Sequence, residues 1–343
     1  MRSFNMTKNF NDCVILFGGS SEERLVSVAS AQNISVVIPE APLWFWTKDG
    51  KIHEVTSAEL GAHAEAFTKE FSPKSPVKAS TLEEALKVNT GKTIIIALHG
   101  TEGEDGTLQR MLERMKITFT GTGAAASEKA FNKAMTKAIA RDNNLSVAPE
   151  LVVENVEPAN VKKLEHFLEQ NKKIVLKPLA NGSSVGLHII ASKADLEKAL
   201  PAIKASGYLP YVSEPFITGR EITVGVREDK DHKLSPLPCS EVRVIQGRQF
   251  DYQGKYLGSG VEELTPAPLT KEESDACQKL ALAIHKAIGC KGYSRTDMIL
   301  TEKGPVMLEI NTLPGLSKAS FIPQQLKVAG MTLRDFFLEQ INL

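Results

Sequence analysis

"YSRTDMILTEKGPVMLEINTLPG", residues 293–315, carries alternating side chains on either side of a Lys-Gly-Pro turn, the pattern of two antiparallel strands joined as a hairpin. Residues two apart on a strand share a face. Arg295 and Asp297 therefore share one face of the first strand, and Glu309 and Asn311 one face of the second. If the hairpin pairs in register, a cation, two carboxylates and an amide oxygen converge on one patch. Oxygen ligands on a rigid sheet suit a hard ion such as Mg²⁺, whose shell phosphate oxygens commonly complete. The competing reading is a solvated outer face of a sheet. For Glu309 alone it is the better one; for the whole set, ending in "NTLPG", the cation is.

Around this hairpin the chain has a mixed texture. "CVILFGG" (13–19) reads as a buried strand ending in glycines, followed by the helical "SSEERLVSVASAQ"; strand, Gly turn and helix make an α/β opening. "TIIIALHG" (93–100) is a second strand of that sheet, and "HGTEGEDGTLQ" (99–109) leads from it to a helix starting near Thr107. His99 thus sits at a strand's end, where open α/β sheets place ligands. "ITFTGTG" (117–123) reads as another short strand, and a helix is expected from Ser127, as N-cap, to Asn143. Residues 56–80 are polar and Pro-punctuated, and fit no element well. Beyond 145, "KKIVLKP", "LHII", "YVSEPF" and "EITVGVR" are short strands around a helix at 193–205, a pattern of antiparallel pairing. A further helix spans 271–288.

The bulk properties exclude several classes. The 343 residues exceed one small core, so two or three domains are expected. Forty-one basic against 41 acidic residues leave no global field to gather nucleic acid or an anionic membrane. Cys13, Cys239, Cys277 and Cys290 form no C-x-x-C pair and read as free thiols in a reducing compartment. The N-terminus lacks the apolar stretch of a secretory signal, and no apolar run approaches the roughly 20 residues that span a bilayer. The expectation is a soluble, cytoplasmic protein without nucleic-acid or membrane partners.

Two lysines add phosphate chemistry. Lys177 closes an apolar strand before "NGSSVG" (181–186), a turn whose N–H groups and hydroxyls can line an anion. It leads into a strand, so neither a Walker loop nor a Rossmann turn fits. Lys133 lies in the helix after 127. Alone, Lys133 reads as an ordinary surface lysine, and a Gly-Ser turn is equally weak evidence.

Taken in order, "GGSSEERLVS", "LHGTEGEDGTLQ", "KPLANGSSVG", "GKYLG" and "YSRTDMIL…LEINTLPG" resemble the D-alanine–D-alanine ligases of the ATP-grasp superfamily, over roughly residues 13 to 330. The resemblance implies an α/β, three-domain ATP-grasp fold. An N-terminal parallel α/β domain (1–124) would precede two α+β domains with antiparallel sheets enclosing ATP (125–213 and 214–343). It implies ATP as co-substrate, two Mg²⁺ ions or Mn²⁺ in their place, D-alanine as substrate, and a homodimer. Lys133, Lys177 and Lys255 match phosphate-binding lysines, with Ser184 in the Gly-Ser turn above ATP. Glu214 matches an acceptor for the adenine amino group beside the Ile217 backbone, and Glu221 the ribose-binding acid. Asp297, Glu309 and Asn311 match metal ligands. Glu23, Ser183 and Tyr256 match a hydrogen-bonded triad around the first D-alanine, near His99. Arg295 and the Gly315 backbone match an oxyanion site, and Ser320 and Phe321 match contacts to the second D-alanine.

The implied reaction is ligation through an acyl phosphate, supplying peptidoglycan precursors. Water would destroy that intermediate, so the site must close; "QGRQFDYQGKYLGSG" (246–260) is the expected lid. Sister ligases that use D-lactate or D-serine as acceptor, and a non-catalytic nucleotide sensor, are the alternatives. A neutral phenol at Tyr256 favours an amine acceptor. Three positions depart from the family pattern: Arg110, Asn181 and Thr296, the last where an apolar residue is usual.

Overall fold

The computed structural model describes residues 8–88, 91–180, 182, 185–244 and 261–343, and three sheets organise them. The first contains β1 (Cys13–Gly18), β2 (Leu43–Trp46), β3 (Ile52–Val55), β4 (Val77–Ala79) and β5 (Thr93–Ile96), in the order β4-β3-β2-β1-β5. β1 pairs parallel with both β2 and β5, while β3 and β4 extend one edge antiparallel. All residues of β1 and β5 are buried, as parallel strands covered on both faces require. The covering helices include α1 (Arg24–Val37), α2 (Ser57–Gly61), α3 (Leu82–Lys87) and α4 (Thr107–Arg114). Thr56 and Thr81 cap α2 and α3 with their hydroxyls. The unplaced segment 56–80 thus holds α2 and β4. Between them Phe71 packs edge-on against Phe45, with ring centres 5.1 Å apart.

Two local expectations need correction. Residues 117–123 form only a single bridge, Ile94 to Phe119. Left-handed backbone at Lys116 (φ 57°) and Gly121 (φ 91°) bends the chain away on either side. The helix expected over 127–143 is two helices, α5 (Ala124–Phe131) and α6 (Lys133–Asp142). Asn132 between them is extended, and its side chain accepts the Met135 N–H at 3.1 Å, capping α6. Ser127 is no N-cap; it is buried inside α5, with its hydroxyl donating to Thr122 O.

The second sheet is antiparallel throughout: β6 (Leu151–Val153), β7 (Ile174–Pro178), β8 (His188–Ile190) and β9 (Tyr211–Pro215), ordered β6-β9-β7-β8. α7 (Pro158–Asn171) and α8 (Lys193–Ala205) cover it with Leu164, Leu168, Leu196 and Ile203. The third sheet has β10 (Arg220–Glu228), β11 (Leu234–Pro236), β12 (Ser240–Val244), β13 (Val261–Leu264), β14 (Tyr293–Thr301) and β15 (Gly304–Asn311). Its order is β13-β12-β10-β14-β15, with β11 on β10. α9 (Lys271–Ile288) packs Cys277, Leu280, Ala281 and Ile284 on it, begun by a Thr270–Glu273 capping box.

Packing crosses chain order at both ends. Ala130 and Ala140, from α5 and α6, enter the core of the third sheet. Ile322 and Leu326 of α10 (Phe321–Val328) and Phe336 and Phe337 of α11 (Leu333–Gln340) enter the core of the first. The first and third sheets are therefore clamped together, and the cleft between them is held open by packed helices.

Of the departures from the family pattern, Asn181 lies outside the described residues. Arg110 pairs with Glu128 at 2.8 Å on the surface, more than half exposed, which contributes little. Thr296 is fully buried in β14, and its hydroxyl finds no partner among the described residues. An unpaired buried hydroxyl costs free energy that an isosteric methyl does not. Thr296→Val is therefore expected to stabilise the fold by about 1 kcal/mol, read as a higher urea midpoint at unchanged slope. A lower midpoint would mean that the hydroxyl has a partner.

Candidate active site

The hairpin pairs Arg295 opposite Asn311 and Asp297 opposite Glu309, so the four share one face. Beyond Asp297 the register shifts and skips Leu308, a bulge of the kind that re-aims side chains beside functional sites. Arg295 Nε and Nη2 donate to Asp297 Oδ1 and Oδ2 at 2.9 and 2.7 Å. Thr223, opposite Asp297 on β10, donates its hydroxyl at 2.5 Å, and Asn311 Nδ2 donates at 3.2 Å. Lys133 Nζ lies 3.6 Å from Glu309 Oε2. The break at Asn132 starts α6 at Lys133 and leaves this lysine only 7% exposed.

These side chains line a cleft enclosing about 880 Å³ of empty space, some of it open solvent, in the range of small-molecule sites. Glu23, His99 and Glu104 come from the first sheet's side, Glu221 from β10, and Gly315, Ser320 and Phe321 from the segment after β15. A second cavity of about 370 Å³ shares Glu104, Gly182, Glu309 and Asn311, and adds Lys133. Gly182 is a glycine for a reason: a Cβ there would lie 2.9 Å from both oxygens of Glu23. Gly182 and Glu23, at the start of the first helix, thus meet at the cleft. Ser183, Ser184, Lys255 and Tyr256, with the expected lid, lie outside the described residues.

His99 is a brace between elements. Its Nδ1–H donates to Leu313 O at 2.8 Å, and Nε2 accepts the Ser30 hydroxyl at 2.8 Å. Ser30 in turn accepts the Leu316 N–H at 3.2 Å, so β5, α1 and the 313–316 segment are tied together. Burial foremost pushes the imidazole down to about 4, with the Arg295 charge adding to it and the Leu313 carbonyl opposing. The unfolded chain binds this proton near pH 6.5. Stability is complete above that value and is lost as pH falls toward 4, since the unfolded state then holds more protons. Between pH 7 and pH 5 this one group accounts for about 2 kcal/mol. Urea unfolding of His99→Asn is expected to show a pH dependence shallower than wild type by that amount. An unchanged dependence would contradict a neutral, buried His99.

The acidic residues of the 99–109 loop mostly hold the loop itself. Glu102 accepts the Ser20 N–H and Asp105 the Thr107 N–H. Glu104 accepts the Gly100 N–H at 3.0 Å, yet faces both cavities. Burial, then the neighbouring Glu23 charge, hold its carboxyl well above the ordinary range.

Lys177, Glu214 and Ile217 line neither cavity. Glu214, 3% exposed, sits 3.0 Å from Lys177 and 3.1 Å from Lys137, one lysine at each oxygen. A carboxylate with a lysine at each oxygen holds both lysines in place. Ile217 is half-buried in the loop after β9. Burial lowers the pKa of Lys133, an effect Glu309 opposes and the Lys177 charge reinforces, so the two lysines feel each other. Lys137, completely buried, was not singled out in the sequence, although it lies four residues after Lys133 and so on the same helix face. Thr223, two residues after Glu221 on β10, was also missed.

Known proteins with this arrangement are plain to see. The N-terminal domain model of the D-Ala-D-Ala ligases matches residues 12–122, and their C-terminal domain model matches residues 139–342. A D-alanine–D-alanine ligase of Leptospira interrogans is 33% identical over 347 residues, covering 96% of this chain and 97% of its own. The fold is similar to that of D-alanyl-alanine synthetase A from Vibrio cholerae, with TM-score 0.79, 25% identity and 98% of each chain covered. It is also similar to a Bacillus anthracis D-alanine–D-alanine ligase solved in complex with ATP, with TM-score 0.72, 23% identity and 96% and 95% covered. With both domain models matched and a relative of this identity along nearly its whole length, the chain belongs to the D-alanine–D-alanine ligase family.

Proposed function

We propose that the cleft between the first and third sheets is where this enzyme performs its reaction, the ATP-dependent joining of two D-alanines, and that it does so through an acyl phosphate. The observation that carries this reading is one face presenting Arg295, Asp297, Glu309 and Asn311, with Lys133 arriving from α6. In the first step an oxygen of the first D-alanine's carboxylate takes the γ-phosphoryl group, and ADP leaves. Charge gathers on the transferring group, and Lys133 and Lys177 stabilise it by position rather than by bonding. The amine of the second D-alanine then attacks the carbonyl carbon, and the C–O bond to phosphate breaks. Arg295 and the Gly315 N–H face the oxyanion formed on the way.

The donor set suits divalent magnesium: two carboxylates and an amide, all oxygen ligands once the Asn311 amide turns its oxygen inward. Asp297, Glu309 and Asn311 would hold it, and it would neutralise phosphate charge. Arg295 and Lys133 pair with these carboxylates. Glu23, with Ser183 and Tyr256, would orient the first D-alanine beside His99; Ser320 and Phe321 would meet the second. Glu221 would take the ribose hydroxyls, and Glu214, paired with Lys137 and Lys177, would accept the adenine amino group beside the Ile217 backbone. Ser184 and Lys255 would cover the phosphates as the segment 246–260 closes.

The division into domains at about 124 and 213, a homodimer and a cytoplasmic location complete the proposal. Among the described residues no helix is long and apolar enough to cross a membrane. The test is purified protein with ATP, Mg²⁺ and a panel of D-amino and D-hydroxy acids. Phosphate release that requires D-alanine, with D-alanyl-D-alanine as product by mass spectrometry, supports the reading. Phosphate release that ignores D-alanine, or preferred use of D-lactate, contradicts it.

A further inference from the structure

Glu263 on β13 stands opposite Val242, which stands opposite Glu221, so the three share the sheet face that lines the cleft. It is half-buried, and it forms no ion pair with any described residue. Its hydrogen bond comes from Gln324 Nε2 at 3.3 Å, and the same amide donates to Ala319 O at 2.8 Å. Gln324 therefore ties Glu263 to the turn that carries Ala319, Ser320 and Phe321 into the cleft. Its neighbours on this face are differently placed: Asp297 has Arg295 and Glu309 has Lys133. Burial raises the Glu263 carboxyl above its ordinary range, with the Arg295 charge drawing it back from a distance.

A half-buried carboxylate with no counterion among the described residues carries a desolvation penalty that a cationic ligand relieves. ATP brings only negative charge to the phosphate end, and each D-alanine brings one ammonium. Glu23 serves the first from the opposite wall of the cleft. We infer that Glu263 is the group that receives the ammonium of the second D-alanine, and that it thereby selects an amino acid over a hydroxy acid as acceptor. This rests on the ligase reading above and adds to it a residue that the family motifs do not contain.

The test is Glu263→Gln, which keeps the shape and the contact to Gln324 while removing the charge. A charge-assisted hydrogen bond of this kind supports a rise of at least about tenfold in KM for the second D-alanine. KM for ATP should stay within about twofold. In competition between D-alanine and D-lactate, read by product mass, the lactate share should rise by a similar factor, because D-lactate has no ammonium to lose. Gln324→Leu, which breaks the link but keeps the carboxylate, should retain the preference for D-alanine. An unchanged KM for the second D-alanine in Glu263→Gln overturns the inference. So does an equal loss with both acceptors, or a Gln324→Leu variant that reproduces the loss of selectivity. A wild type that joins no D-alanines would instead overturn the ligase reading itself, a result recognisable before any variant is made.

Discussion

Glu309→Gln is expected to lower turnover at least about a hundredfold, equivalent to about 3 kcal/mol of transition-state stabilisation. The fold should remain, because the side chain is 24% exposed at the rim of a cavity and glutamine keeps its shape. Two losses combine. The proposed metal ligand loses its charge, and Lys133, 3.6 Å away and 7% exposed, loses the carboxylate that most favours its charged form. A buried lysine without that partner gives up its proton more readily and then has less charge to offer the phosphoryl group. Turnover should therefore fall even at saturating Mg²⁺, and the Mg²⁺ concentration for half-activity should rise. Steady-state phosphate release against Mg²⁺ measures both. Turnover within about threefold of wild type would remove Glu309 from the metal site.

Arg295→Ala is expected to reduce kcat by about a hundredfold or more, with a smaller change in KM for ATP. Arg295 is asked for charge only when the oxyanion forms, an interaction made in the transition state and hence expressed in kcat. The two-pronged contact to Asp297 adds a second effect. Without the guanidinium, Asp297 loses a charged partner while the neutral donors Thr223 and Asn311 remain, and a buried carboxylate is left undercompensated. Arg295→Lys should recover only part of the rate, since an ammonium cannot reproduce the planar fork. If Arg295→Ala changed only the affinity for ATP, its place at the oxyanion would be wrong.

What the sequence made legible follows from periodicity. Arg295 with Asp297, and Glu309 with Asn311, were readable as pairs because a strand repeats every two residues; the bulge at Leu308, which sets the two pairs opposite each other, was not. The helices over 193–205 and 271–288 stood where Ser192 and Thr270 cap them. Other features depended on contacts between distant segments. Nothing local marks Glu214 as the partner of two lysines, because Lys137 and Lys177 reach it from a helix and a neighbouring strand. Asn132 inside a helical run looks like a tolerated polar residue until its side chain is seen capping α6. Glu263 reads as one more acid in "VEELTPAP"; only the pairing of β13 with β12 turns it toward the cleft. The antiparallel strands β3 and β4 are short and partly exposed, so they lack the apolar signature that betrayed β1 and β5.

The central claim is that this cleft activates the carboxylate of one D-alanine by phosphorylation before the second attacks. D-alanine labelled with oxygen-18 in its carboxylate, supplied with ATP and Mg²⁺, tests it most directly. The account predicts that each phosphate released carries one labelled oxygen from D-alanine, and that label and dipeptide appear together and are lost together in Glu309→Gln. Unlabelled phosphate released alongside dipeptide would contradict it.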